Sequence, residues 1–536
     1  MNRRLLLGVM MASAASLHAQ DTYLNNQLVN NSDKLFGSAR YVGMGGALGA
    51  LGADISTMGW NPAGIGLMRK GETSLTFGGV WDKEGTSQYG KGSATLDHAG
   101  MVFAIDLGSS SSKLQYLNIG FNYQKKANYN NSFTADNNSL NGLSQLDQLA
   151  EMTQAGLNTK DNLAGFLYET DMYDVAKDAA GNEYVSNKYY GNLNRFTQHT
   201  SGSLSGFDVN FSGNVSNRFY WGLDIGIDAL RYRAFNDYYE EKSNEVDALF
   251  RDHTLQNDIA IDGWGVNFKF GVIFRPIEES PFRLGLTAET PTWYNLKRST
   301  FYNLSEVVSD MHTQALLPDK SITTPSYESY MEYSIRTPWK LRLSAGSTVS
   351  NYLAWGIDYE YANSASTKMG YPYNAISDPH NSLFSNEPDK DMNELTKNNL
   401  KAAHTLRLGL EYKPISAVAI RLGYNYATSG YKDHPTFDQF SLNCAARDYA
   451  TSTHYMTLGD AHALTLGLGY KWKSVYLDLA YKARTQKADF YAFDTSFTAA
   501  NRSFAKDNPE HAGLSIDPVK VDQTKHQLTA TLGFKF

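Results

Sequence analysis

His526-Gln-Leu-Thr-Ala-Thr-Leu-Gly-Phe-Lys-Phe536 closes the chain. In an extended backbone, successive side chains point to opposite faces. Leu528, Ala530, Leu532, Phe534 and Phe536 then share one face, and Gln527, Thr529, Thr531, Gly533 and Lys535 share the other. Apolar against polar at period two marks a strand. A single such stretch would fit a half-buried strand of a soluble sheet. Here the pattern recurs along nearly the whole chain, which predicts an all-β fold: an antiparallel transmembrane β-barrel, whose strands alternate lipid-facing and lumen-facing residues.

Fourteen stretches carry the pattern: 72–81, 98–108, 114–125, 204–214, 219–232, 259–275, 282–294, 327–349, 353–361, 401–413, 417–427, 459–472, 475–484 and 526–536. In 417–427, Ile420, Leu422 and Tyr424 oppose Arg421 and Asn425. Pro338 lies inside 327–349 and predicts a bulge or local break, since proline removes a ladder donor. Short turns (109–113, 215–218, 276–281, 350–352, 414–416, 473–474) alternate with long connections (82–97, 126–203, 233–258, 295–326, 362–400, 428–458, 485–522). Outer-membrane barrels have short periplasmic turns and long outer loops, and an even strand count puts both wall ends on the periplasmic side. A sandwich or propeller would require no such alternation.

The first residues fit export. Met1-Asn-Arg-Arg4, an apolar run from Leu5 to Leu17 and a small residue at Ala19 describe a signal peptide over 1–19. The apolar run is too short to span a bilayer, which needs roughly 20 residues. No Cys lies near the cut, so no lipoprotein anchor is expected. Mean hydropathy is -0.42, a value that would pass for soluble; barrels give it because only alternate residues meet lipid. The abundance of aromatics, 35 Tyr and 26 Phe, suits rings at the headgroup level. A net charge of -7 speaks against a nucleic-acid partner. The lone Cys444 can form no internal disulfide or metal cluster.

Residues 20–71 do not alternate. They hold Gly43-Met-Gly-Gly-Ala-Leu-Gly-Ala-Leu-Gly-Ala-Asp54 and Asn61-Pro-Ala-Gly-Ile-Gly-Leu67. A nucleotide loop fits poorly, since the third glycine of G-x-G-x-x-G is missing and no strand precedes it. A compact plug fits better: small residues pack tightly inside a lumen, and Asn61-Pro62 sets a turn. The layout is therefore a plug over 20–71 and a barrel over 72–536.

Here the chain resembles the FadL family of outer-membrane transporters for long-chain fatty acids and other hydrophobic compounds. The resemblance rests on Gly52-Ala-Asp54 through Asn61-Pro-Ala-Gly-Ile-Gly-Leu67 directly before the first strand, like the family's "NPA" hatch signature. Thr337-Pro-Trp-Lys-Leu-Arg-Leu-Ser-Ala-Gly346 and Trp355-Gly-Ile-Asp-Tyr-Glu-Tyr361 add weaker support. It implies a fourteen-stranded barrel with an N-terminal hatch in the lumen. The hatch would gate at Asn61, Pro62, Ala63 and Gly64, ligand would leave sideways through the wall, and no cofactor or energy-coupling partner would be needed. The implied partners are outer-membrane lipids, a hydrophobic small molecule and the barrel-insertion machinery, which would meet the terminal Phe536.

The second outer connection departs from that pattern by its length. Leu143, Leu146, Leu149 and Met152 recur at helical spacing, as do Leu163, Phe166 and Leu167 further on. Two amphipathic helices could offer an apolar groove or pack on each other. Two rivals remain besides a general porin, which the glycine-rich plug opposes. An enzyme would need a nucleophile or metal motif, and neither G-x-S-x-G nor H-E-x-x-H occurs. A haem barrel would use His454-Tyr455-Met456, since His and Tyr can ligate haem iron.

Overall fold

The computed structural model describes residues 19–30, 34–82, 92–108, 113–154, 163–165, 174–177, 181, 183–187, 189–244, 248–323, 326–372, 386–432, 452–495 and 514–536. The proposed signal residues 1–18 and Cys444 lie outside them. The wall segments are β1 (Glu72–Asp82), β2 (Gly92–Asp106), β3 (Leu114–Asn128), β4 (Tyr190–Val215), β5 (Phe219–Asn244), β6 (Leu249–Phe274), β7 (Arg283–Glu289) and β8 (Trp293–Asp310). They continue with β9 (Tyr327–Arg336), β10 (Lys340–Val349), β11 (Leu353–Asn363), β12 (Ala402–Ile415), β13 (Val418–Ala427), β14 (Tyr455–Trp472), β15 (Val475–Tyr491) and β16 (Val519–Lys535). β7 with β8, and β9 with β10, each form one interrupted stave, so the wall has 14 antiparallel staves. β16 pairs with β1 from Lys535↔Glu72 to Lys525↔Asp82, which closes the barrel and leaves no edge at the seam.

The wall is apolar outside and polar inside. Leu464 is 62% exposed and Leu466 57%, whereas Arg421 is 5% exposed and Asp478 4%. In water that arrangement would be unfavourable at every strand; in a bilayer it is what the alternation requires. Several inward charges are paired across the lumen. Arg421 Nη1 reaches Asp478 Oδ1 at 2.6 Å and its Nε reaches Glu411 at 2.7 Å. Among the described residues no helix is long and apolar enough to cross a membrane.

The structure corrects several expected boundaries. The connection 233–258 is mostly wall: β5 runs to Asn244 and β6 starts at Leu249. The expected loop 295–326 holds β8, which runs to Asp310, and β4 begins at Tyr190, well before 204. Beyond the lipid belt both faces carry polar and aromatic residues, as in Asn236-Asp-Tyr-Tyr-Glu-Glu241, so no apolar face marks the strand. The expected strand 282–294 is interrupted at Thr290-Pro-Thr292, and 327–349 breaks at 337–339 around Pro338, where a local break was expected.

Candidate functional site

The lumen is filled at its centre by residues 34–71. Asp54 caps the 3₁₀ turn Ile55–Gly59 by accepting from Ser56 N–H, and Asn61 caps the turn Pro62–Leu67 by accepting from Ala63 N–H at 3.1 Å. Proline at the first position of a helical turn loses no hydrogen bond, which suits Pro62 there. Asn61 also donates to Gly49 O at 2.8 Å, so one side chain ties the turn to the preceding loop. Pro62 O accepts from Asn210 of β4, and Gly64 O accepts from Ala53 N–H. All four residues from Asn61 to Gly64 are buried. The sequence-predicted turn is therefore one local unit, held from both sides.

Glycines of the wall make room for it. Gly346 pairs with Gly356, Gly356 with Gly409, and Gly409 with Gly423, a belt across β10 to β13. A side chain at Gly356 would collide with Ala47 O, one at Gly409 with Met44 O, and one at Gly423 with Gly45 N. Gly222 and Gly271 make the same allowance for Pro62 on the opposite side. The backbone of the inner segment therefore lies directly against the wall.

Lumen charges fix the segment in register. Arg40 pairs with Glu411 at 3.2 Å, and Gly49 N–H donates to Asp358 at 2.9 Å. Trp60 lies between two guanidinium groups, Arg407 at 3.4 Å and Arg342 at 4.3 Å from the ring centroid. Such contacts stabilise by about 0.5–2 kcal/mol each, the more so when desolvated. Arg342 is held in turn by Glu289 and Glu360, both at 2.6 Å. The alternation assigned these charges to the lumen; only the fold shows that they hold Trp60.

Above this layer lies a second one. Helix α1 (Ala19–Val29) stands inside the outer half of the barrel. Its Leu28 and Val29 are buried among Leu230, Ile259, Ile261, Leu296 and Ile335 and the tyrosines Tyr129, Tyr232 and Tyr333. Four small cavities meet α1 or Asn30 just beyond it. One of about 60 Å³ touches Gln27 and Leu28, one of about 40 Å³ touches Leu24, one of about 60 Å³ touches Val29, and one of about 70 Å³ touches Asn30. Each has room for a few waters only. Within residues 20–71, expected to form one plug, the described residues fall into two parts, the turn-rich segment and a helix that the unpatterned sequence did not reveal.

The outer end is roofed. After α2 (Ala39–Gly43) in the inner segment, the next helix, α3 (Gln145–Gln154), lies over the mouth. Ser144 and Asp147 form a capping box: Leu146 N–H donates to Ser144 Oγ and Ser144 N–H to Asp147 Oδ2. Glu240 of β5 accepts from Gln145 N–H at 3.0 Å and from the hydroxyls of Ser144 and Tyr238. A carboxylate at a helix N-terminus is favourable, so Glu240 anchors α3 to the wall. Leu143, Leu146, Leu149 and Leu163 are fully buried in one cluster with Phe133, Phe196, Tyr302 and Phe490. The structure brings these four together, facing into the barrel mouth. Phe166 and Leu167 lie outside the described residues.

His454-Tyr455-Met456 lies in the same roof. The His454 ring packs 4.5 Å from Phe196, its Nε2 faces Gln198 Nε2 at 3.4 Å, and burial pushes its pKa down to about 3. Tyr455 stacks on Tyr491 at 4.6 Å. The triad is built into the aromatic packing, and the haem reading gains no support from it. No group of three or more candidate metal ligands occurs among the described residues.

No family model matches the chain, and no curated protein does. Among solved structures, a FadL homologue of Pseudomonas aeruginosa matches with a TM-score of 0.50 at 13% identity, covering 94% of this chain and 98% of that one. The Pseudomonas putida toluene transporter TodX matches with a TM-score of 0.44 at 10% identity, covering 94% and 99%. The Ralstonia pickettii toluene transporter TbuX matches with 0.45 at 12%, with the same coverages. At such identities the likeness speaks for architecture alone. The chain has the fold of the FadL homologue, and it is in this fourteen-stranded barrel architecture that it resembles the FadL family.

Proposed function

We propose that this protein carries hydrophobic compounds passively across the bacterial outer membrane, with long-chain fatty acids as the cargo class. The observation behind the proposal is the layering of the lumen: a charged layer packed around Trp60 below, and an apolar layer above in which Leu230, Ile259, Ile261 and Ile335 surround Leu28 and Val29. A general porin needs a continuous polar path, whereas here the centre is filled. Cargo crosses only if the inner segment moves, so residues 20–71 act as the hatch and Asn61-Pro62-Ala63-Gly64 as its gating turn. A ligand that binds a second arrangement of the turn more tightly shifts the balance toward it. The leucine face Leu143, Leu146, Leu149 and Leu163 serves as the roof that cargo first meets, with Phe166 and Leu167 beside it. Release is sideways into lipid. Residues 1–19 act as the export signal, and the final strand with Phe536 is what the insertion machinery reads.

The test is uptake by cells carrying the protein in their outer membrane, with labelled oleate, toluene and haemin as separate probes. Asn61→Ala with Pro62→Ala removes the cap and leaves Gly49 O without its donor, at a cost of about 1–3 kcal/mol. We expect oleate uptake to change while the barrel keeps its heat-modifiable gel mobility. Deleting 20–71 should leave a pore that leaks small sugars. Uptake of haemin without oleate or toluene would replace this reading with haem transport.

A further inference from the structure

Three strands in one half of the wall repeat a short motif. His404-Thr-Leu406 lies in β12, His462-Ala-Leu464 in β14 and His526-Gln-Leu528 in β16. Each follows a long outer connection, so each histidine stands two residues beyond its leucine toward the outer end. Leu464 and Leu528 are exposed on the lipid side of the wall, and at period two the histidines share that side. The register gives every motif the same partner: Tyr359 pairs with Leu406, Tyr424 with Leu464 and Tyr481 with Leu528. Each tyrosine reaches diagonally to the histidine. Its hydroxyl meets Nδ1 of His404 at 2.6 Å, of His462 at 2.8 Å and of His526 at 2.7 Å. A second ring stands directly opposite each histidine in the ladder: Tyr361, Tyr426 and Trp81, with ring centroids 5.6, 5.0 and 5.8 Å away. The same cage is thus built three times.

A two-residue step along a strand is about 7 Å, which lifts each imidazole from the hydrocarbon toward the headgroups. Tyrosine and tryptophan alone would suit that depth; a histidine held between two such rings adds a hydrogen-bonding edge. A hydroxyl donating to Nδ1 leaves the ring hydrogen on Nε2, across the ring from the tyrosine. Among the described residues no hydrogen bond reaches Nε2 of these three histidines. The donors recur on every second stave, about 10 Å apart at the usual strand spacing. Asp460, which steadies the middle cage, accepts from Tyr426 OH at 2.6 Å and from Ser429 N–H at 2.7 Å, so its charge is already met. The opposite half of the wall is built differently. There Asp262, two residues beyond the exposed Trp264, lies 4.0 Å from Arg231 and 2.6 Å from Arg233, and cation and anion answer each other within the protein.

We propose that the three caged histidines form a binding row for the phosphate groups of lipid headgroups in the outer leaflet. The row continues the lipid-facing surface of Leu464 and Leu528, so the molecule beside it is a lipid. Phosphate is the part of a headgroup that combines negative charge with several acceptor oxygens, and it takes hydrogen bonds from N–H groups strongly. The rings are held before the lipid arrives, so little side-chain freedom is lost on binding. The row stands on the outside of the wall, apart from the lumen, and it holds whether or not the barrel carries fatty acids. Its effect is an ordered lipid shell along β11 to β16 and β1, while lipid on the opposite half exchanges freely.

The test compares the wild type with a triple variant, His404→Phe, His462→Phe and His526→Phe, which keeps three rings and loses three donors. Each protein is reconstituted in phosphatidylcholine bilayers with a trace of spin-labelled phosphatidic acid or of spin-labelled diacylglycerol bearing the same chains. Electron paramagnetic resonance reads the fraction of each lipid held at the wall. The wild type should hold phosphatidic acid severalfold over diacylglycerol. In the variant that preference should fall by most of its value, with the diacylglycerol fraction unchanged. An equal preference in both proteins overturns the row, since cations elsewhere on the barrel would then account for it. Loss of the wild-type preference to an equal concentration of inorganic phosphate makes the row a site for the free ion and overturns the lipid assignment. Should the triple variant fail to assemble, the wild type decides the matter. Dipolar dephasing of isotope-labelled histidine Nε2 by headgroup phosphorus is the expected result, and its absence overturns the row.

Discussion

His454 shows how a single side chain sets a pH dependence for the roof. An unfolded histidine titrates near pH 6.5, whereas the folded ring stays neutral down to about pH 3 because it is buried beside Phe196, with Arg298 acting in the same direction. Below about pH 6.5 the unfolded chain therefore binds a proton that the folded one refuses, and stability falls as the pH falls. Asp147 at the start of α3 works with the opposite sign, since burial raises its carboxyl well above the usual range and the folded form takes up the proton first. A His454→Gln variant separates the two. Its urea midpoint in detergent should lie below that of the wild type at pH 8, and the difference should shrink or reverse at pH 5. A constant difference across that range would mean that His454 does not titrate as its packing requires.

At the scale of elements, the glycine belt deserves a direct challenge, because it is what lets a backbone lie against a wall. Gly356→Val should lift the inner segment from β11, at a cost of about 1–3 kcal/mol for the overpacked contact. The barrel should still assemble, but liposomes containing it should swell in small sugars. Gly79→Val is the control, since a Cβ at that position meets nothing within 4 Å. Equal swelling of both variants would show that the belt does not seat the segment. The wall strands were legible because lipid demands one apolar face, as at Leu464, Leu466 and Leu468. Their outer extensions were not, since above the lipid Tyr238 faces in and Tyr239 faces out with no difference in residue type. Within the plug, Asn61-Pro62 announced its turn through local capping chemistry. The Trp60 site did not announce itself, since Arg342 and Arg407 lie far away in sequence and only closure brings them together. α1 stayed hidden for a third reason: its sequence, Ala19-Gln-Asp-Thr-Tyr-Leu-Asn-Asn-Gln-Leu-Val29, has no periodic apolar face, and its place is set by the apolar layer around it.

For the whole molecule, the contacts of the inner segment constrain how the chain can be made. Ala39 N–H donates to the hydroxyl of Thr531, 492 residues later, and Phe536 N–H donates to Gly71 O. An early segment thus completes some of its bonds only with a strand nearly 500 residues later. Arg40 and Trp60 find their partners on β10 and β12, and passing a charge such as Arg40 into a finished lumen would strip its water before any partner is met, a step of several kcal/mol per ion. The wall should therefore close around the segment, which acts as the mould on which the final strands are laid. A peptide of residues 20–71 added to a preassembled 72–536 wall should fail to stop sugar leakage. The same peptide present while the wall folds should stop it. If late addition works equally well, the segment is a guest and not a mould. Otherwise the order of synthesis acquires a meaning: the amino-terminal segment must be kept unfolded in the periplasm until the carboxy-terminal strand arrives, and a holding chaperone becomes part of the biology of this chain.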